Sequence, residues 1–142
     1  MSSRDVSFYI VDIFIAIDKI ARYTAVFSTA QNLLYDELAW DATIRELEII
    51  GEATKYLLDD ELISGDNRRI VDFRNQISHG YFGIDENIVW DVIKNKLIIY
   101  KKELISVVQF HSLELDEAII QMKNEHYINE HMIKVLDTLK KL

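Results

Sequence analysis

The chain has 142 residues, no cysteine, no proline, four glycines and a formal net charge of −8. That length suits one domain around one core, and the missing cysteine excludes disulfides, thiolate metal sites and a cysteine nucleophile. With 49% apolar residues the chain reads as globular, and so few helix breakers point to an almost wholly helical protein. The opening residues, Met1 to Asp5, have no signal-peptide pattern. Asp12, Asp18 and Lys19 interrupt the apolar run that follows, which is neither a secretory segment nor a membrane span. A soluble, cytoplasmic protein with no membrane association is expected.

Residues 5 to about 29 predict a first helix, with Asp5 as its cap. Phe8, Val11, Ile15 and Ile10, Phe14, Ile17, Ala21 form broad apolar stripes at helical spacing. Such a helix is either central in a bundle or shared with a second subunit. Residues 35 to about 60 predict a second long helix. Gly51 inside it costs about 1 kcal/mol against alanine, and a glycine kept there usually permits a close helix-helix approach. Arg45, Glu48 and Glu52 are charges in this otherwise apolar pattern, read either as solvated surface or as support for a polar site.

Ser64-Gly65-Asp66 signals a loop, and a short third helix follows from Asn67, with Asp66 or Asn67 as its cap. Ile70, Phe73 and Ile77 face inward, and Gly80 lets the chain turn after His79. A fourth helix spans about 86 to 109, with Lys94, Lys96, Lys101 and Lys102 on its polar side. A fifth, amphipathic helix is expected over 115–141. The whole reads as a single domain over residues 1–142, an all-α antiparallel bundle of four to five helices. Its core is 5–110 and its C-terminal helical extension 113–142.

An acidic total argues against a nucleic-acid partner. The distribution argues otherwise. Between Asn67 and Lys102 there are seven basic residues (Arg68, Arg69, Arg74, Lys94, Lys96, Lys101, Lys102) and four acidic ones (Asp72, Asp85, Glu86, Asp91). That locally basic segment holds the one chemically suggestive stretch, Arg74-Asn75-Gln76-Ile77-Ser78-His79-Gly80-Tyr81. A permanent cation sits near a group that exchanges protons at neutral pH. Arg74 and His79 can be a surface arginine and a helix-capping histidine. They can equally serve phosphoryl transfer. A neutral imidazole takes the proton from a ribose 2′-hydroxyl, and a guanidinium holds the scissile phosphate in fork geometry. That attack needs no metal and no cofactor. Asn75 and Ser78 are candidates to contact phosphate oxygens or fix the imidazole tautomer. Cleavage also needs a general acid, which a symmetric dimer apposing two motifs would supply. Tyr81 is either a half-buried ring closing the turn or an exposed phenol open to modification. His126 and His131, five residues apart, lack the i,i+4 zinc spacing and read as helix surface. The tyrosines and tryptophans read as core rather than as a base-stacking platform.

The motif and its surroundings resemble the HEPN superfamily, most nearly its HepT branch of toxins. The resemblance rests on Arg74, four residues, His79, one residue, Tyr81. It rests also on Arg45-Glu46-Leu47-Glu48-Ile49-Ile50-Gly51-Glu52-Ala53 and on His79 to Asp85 with Trp90 after it. It covers roughly residues 5–110. It implies a homodimeric helical bundle with a composite active site and metal-independent endoribonuclease activity. Arg74 and His79 would be catalytic and Asn75 the polar accessory. It further implies an MntA-type nucleotidyltransferase antitoxin that transfers AMP from ATP onto Tyr81. The motif itself shows no departure, while the acidic total and the C-terminal extension bear on substrate affinity and on the interface. The rival expectation is a non-catalytic helical module that binds a nucleotidyltransferase partner or a nucleotide through the same surface.

Overall fold

Helix α1 (Val6–Thr24) starts where the Asp5 carboxylate accepts the Ser7 amide at 2.9 Å. Ile10, Val11, Ile13, Phe14, Ile15, Ala16, Ile17 and Ile20 are all buried. The Thr24 hydroxyl donates to the Ile20 carbonyl at 2.8 Å, and the helix ends there, five residues before the predicted end. The architecture comes from a computed structural model describing residues 5–79, 83–125 and 129–142, with His79 by its backbone alone.

A short helix that sequence periodicity does not reveal follows, α2 (Ala30–Tyr35), capped by the Thr29 hydroxyl accepting from Asn32 at 3.1 Å. Six residues are too few to write a periodic stripe. Asp36 then caps α3 (Glu37–Asp59), whose buried residues include Leu47, Ile50, Gly51, Ala53 and Leu57. Leu38, in its first turn, is 84% exposed.

A 3₁₀ turn (Gly65–Asn67) leads into α4 (Arg68–His79). Asp66 or Asn67 was expected as the cap, but the Ser64 hydroxyl caps the turn, accepting the Asp66 amide at 3.2 Å. Asn67 is buried, and its side-chain amide donates to the Ser64 carbonyl at 3.1 Å and to the Glu103 carboxylate at 2.8 Å. It thereby ties the start of α4 to α6. Gly83 turns the chain with φ +82°, a region open to glycine without strain. Asp85 caps α5 (Glu86–Asp91), which continues through a π-helical turn (Val92–Lys96) into α6 (Leu97–Phe110).

The predicted fifth helix is two: α7 (Asp116–Glu125) and α8 (Glu130–Lys140). The Asn129 side chain accepts the Met132 amide at 3.1 Å and restarts the helix. An asparagine inside a helical pattern competes for backbone hydrogen bonds and favours a cap over an interior position. Lys123 and Asp137 pair across the hairpin.

The result is an all-α bundle, with no strand among the described residues. α3 packs along α1 and also carries α4; α6, α7 and α8 pack on α1 as well. The wide apolar surface of α1 is thus buried within one chain. The choice between a central helix and a shared one falls to the first, and the C-terminal hairpin supplies part of the cover. No described helix is long and apolar enough to cross a membrane.

Candidate functional site

The site begins with Gly51. A Cβ placed there would overlap the Cβ and Cγ of Arg74, and would lie 3.4 Å from the carbonyl oxygen of Ile70. α4 therefore rests directly on the glycine of α3, and the contact is made by the stem of the motif arginine. The expectation of a close approach at Gly51 holds, and its partner is Arg74.

Two contacts extend the seam. Arg74 Nη2 lies 3.3 Å from the Glu52 carboxylate, and the Ser78 hydroxyl donates to Glu48 at 3.0 Å. Moving forward along α4 from Arg74 to Ser78 moves backward along α3 from Glu52 to Glu48, so the helices are antiparallel. Each pair is spaced by four residues, one turn, on one face of its helix. Glu48 and Glu52 are thus the charges that make polar contacts across the seam, while Arg45 is exposed.

The guanidinium is held from several sides. Nη1 donates to the Asn75 side-chain oxygen at 3.1 Å, while Nη2 faces Glu52. Nε is buried and finds no acceptor among the described residues. The side chains of Arg74 and Glu52 are 33% and 45% exposed, so their ion pair contributes at most about 1 kcal/mol. Its consequence is orientation. The fork carries five N–H donors, and the protein contacts described here leave donors available to a bidentate anion.

Among the expected site residues, the structure brings together Arg74 and Asn75. Ser78 is anchored on Glu48 by its hydroxyl. His79 is the last residue of α4, five positions after Arg74, about 140° further round the helix at 100° per residue. Its backbone places it at the carbonyl end of the helix. Gly80, with its expected turn, and Tyr81 lie outside the described residues, as does His126. His131 is exposed on α8.

Sequence reasoning did not pick out one neighbouring feature. Glu52 is followed one turn later by Tyr56, whose ring stacks on Tyr9 of α1 with centroids 4.3 Å apart and planes 10° from parallel. The Tyr56 phenol is pushed above its ordinary pKa, first by the Tyr9 phenol and then by the Glu52 carboxylate. Elsewhere, burial raises Glu46 on α3, partly offset by Lys19 and Arg45. Burial also raises Tyr100, whose hydroxyl meets Thr54 at 2.8 Å. Only the long-range pairing of helices places Tyr9 beside Tyr56, and no local spacing signals it.

Fold and seam define an all-α protein presenting a seated arginine on the helix that ends in a histidine. A family model described as Ribonuclease HepT-like matches residues 13–109, and the chain belongs to that family. Among curated relatives is a Methanocaldococcus jannaschii protein provisionally named an RNase. It is 33% identical over 107 residues, covering 73% of this chain and 97% of the relative. Another protein of that organism with the same provisional naming is 31% identical over 112 residues, covering 77% and 92%. A Thermococcus cleftensis protein provisionally named ribonuclease HepT is 33% identical over 92 residues, covering 63% and 83%. No solved structure matches at comparable significance. α1 to α6 lie almost wholly within the matched span; α7 and α8 lie beyond it.

Proposed function

We propose that the protein is a metal-independent endoribonuclease, the toxin of a toxin–antitoxin pair, acting in the cytoplasm as a homodimer. The observation that carries this reading is Arg74 seated on Gly51, oriented by Asn75 and Glu52, on the helix that ends at His79. Family membership supports it.

Arg74 binds two non-bridging oxygens of the scissile phosphate and stabilises the charge that grows on them in the transition state. His79 accepts the proton of the ribose 2′-hydroxyl. The 2′-oxygen bonds to phosphorus, and the bond to the 5′-oxygen breaks. The leaving 5′-oxygen takes a proton from His79 of a second subunit. The products are a 2′,3′-cyclic phosphate and a 5′-hydroxyl, and water provides no atom to them. Asn75 holds the arginine fork, and Ser78 fixes the end of α4 through Glu48.

Regulation follows from Tyr81, two residues beyond His79. An MntA-type nucleotidyltransferase transfers AMP from ATP to its phenol. The phenol oxygen bonds to the α-phosphorus, the bond from that phosphorus to the bridging oxygen breaks, pyrophosphate leaves, and the phenol proton passes to solvent. The added anion repels RNA, itself a polyanion.

The direct test is cleavage of total RNA by purified protein shown by intact mass to be unmodified. Cyclic-phosphate ends are expected from the wild type and are lost in Arg74→Ala and His79→Ala. Intact RNA would overturn the enzyme reading. The net charge of −8 favours one rival, a non-catalytic module binding a nucleotidyltransferase or a nucleotide. On that reading Arg74→Ala changes partner binding and no RNA product forms.

A further inference from the structure

We infer that the stacked pair Tyr9–Tyr56 is a platform on which one base of a single-stranded RNA stacks while a nearby phosphate lies on Arg74. This rests on the proposed RNA-cleaving role and names the element that positions the substrate.

The pair adjoins the arginine seam. Glu52 contacts Arg74 at 3.3 Å, and Tyr56 is one turn along the same helix. One turn of α-helix rises about 5.4 Å, so the rings and the guanidinium are neighbouring stations on one surface. Both rings are half-buried, and Tyr9 packs against the core, which holds the pair in place. They are already stacked, at 4.3 Å and 10°, so a base laid on the Tyr56 ring meets a plane that Tyr9 holds in place and that needs no reordering.

Charge decides which part of a nucleotide belongs there. Glu52 lies one turn before Tyr56 on α3 and Asp59 three residues after it, so carboxylates flank the phenol along its own helix. A phosphate is repelled from such a place and drawn to Arg74, whereas a base is neutral and has a face for stacking. Every base has such a face, so the platform favours unpaired RNA over duplex without demanding a sequence.

The test uses single-stranded RNA containing 2-aminopurine, whose fluorescence is quenched on stacking. It is bound to full-length His79→Ala protein so that the RNA stays intact. Adding Tyr56→Leu or Tyr9→Leu is expected to weaken binding about 10-fold and to relieve the quenching; adding Tyr56→Phe restores both. The loss should be the same at every salt concentration, because no phosphate contact is removed. Arg74→Ala should instead flatten the salt dependence. Two leucine variants, each checked for helical content, guard against one that fails to fold. Unchanged affinity and quenching in both folded leucine variants would overturn the platform, even if wild-type protein cleaves RNA. Tyrosine-dependent quenching in a protein that never cuts RNA would uphold the platform and sink the ribonuclease reading alone.

Discussion

The α3–α4 seam and the α7–α8 hairpin are both antiparallel helix pairs, yet they use their residues differently. In the hairpin, Ala118, Ile119, Met132, Leu136 and Leu139 are buried, and the Lys123–Asp137 pair sits outside them. In the seam, a glycine, an arginine, a serine and two glutamates occupy the contact line. One buried nitrogen has no acceptor among the described residues. An unsatisfied buried polar group costs about 1–3 kcal/mol. A pair of helices built for stability alone would put apolar residues there, as the hairpin does. The contrast separates a region that seats polar and charged groups between two helices from one that covers the core.

Substitutions should respect that division. The largest effect on chemistry is expected from Arg74→Ala and His79→Ala, each lowering kcat/KM for RNA by at least 10²- to 10³-fold. Thermal unfolding should change little in Arg74→Ala, since the exposed ion pair is weak and the buried Nε goes with it. Gly51→Ala should come next, with cleavage falling about 10²-fold and Tm falling as well. Its new methyl group meets the stem of Arg74 near the backbone, where a rotamer change cannot relieve it, so α4 itself has to move. If Gly51→Ala cleaves like wild type, the close seat is not what places the arginine.

The hairpin should show the reverse pattern. Leu136 is fully buried, and Leu136→Ala should cost about 2–5 kcal/mol of stability in denaturant unfolding, while the folded fraction cleaves RNA at the wild-type rate. A smaller effect of opposite sign is expected at Glu46. Burial raises its pKa, so the folded state binds this proton more tightly than the unfolded state. The resulting stability is present below the ordinary glutamate value of about 4.3 and is lost as pH rises through the raised folded value. At pH 7 the ionised carboxylate is therefore a liability. Glu46→Gln should raise Tm there, with the gain shrinking towards pH 4. Lys123→Ala should be smallest, within about 1 kcal/mol, because Asp137 is half exposed.

Much of the fold was legible because long apolar periods write themselves into sequence. The cores of α1, α3 and α6, and the Asp5 cap, follow from spacing alone. What escaped was short or non-local. α2 is too brief for a stripe, and its Thr29 cap was its only local mark. The split between α7 and α8 was signalled by Asn129 alone. In the site, Gly51 and the carboxylates of Glu48 and Glu52 drew notice as exceptions to an apolar pattern. Their pairing with Arg74 and Ser78 depended on which helix lies against which. Tyr9 and Tyr56, 47 positions apart in the chain, carry no mark of their stacking at all.

The central claim is that Arg74 and His79 cut RNA by attack of the 2′-hydroxyl. Incubating unmodified protein with RNA in excess chelator, then mapping fragment ends, tests it most directly. The expected result is fragments ending in 2′,3′-cyclic phosphate from the wild type, and intact RNA with either alanine variant. Intact RNA in every lane, or the same fragments from His79→Ala, would contradict it.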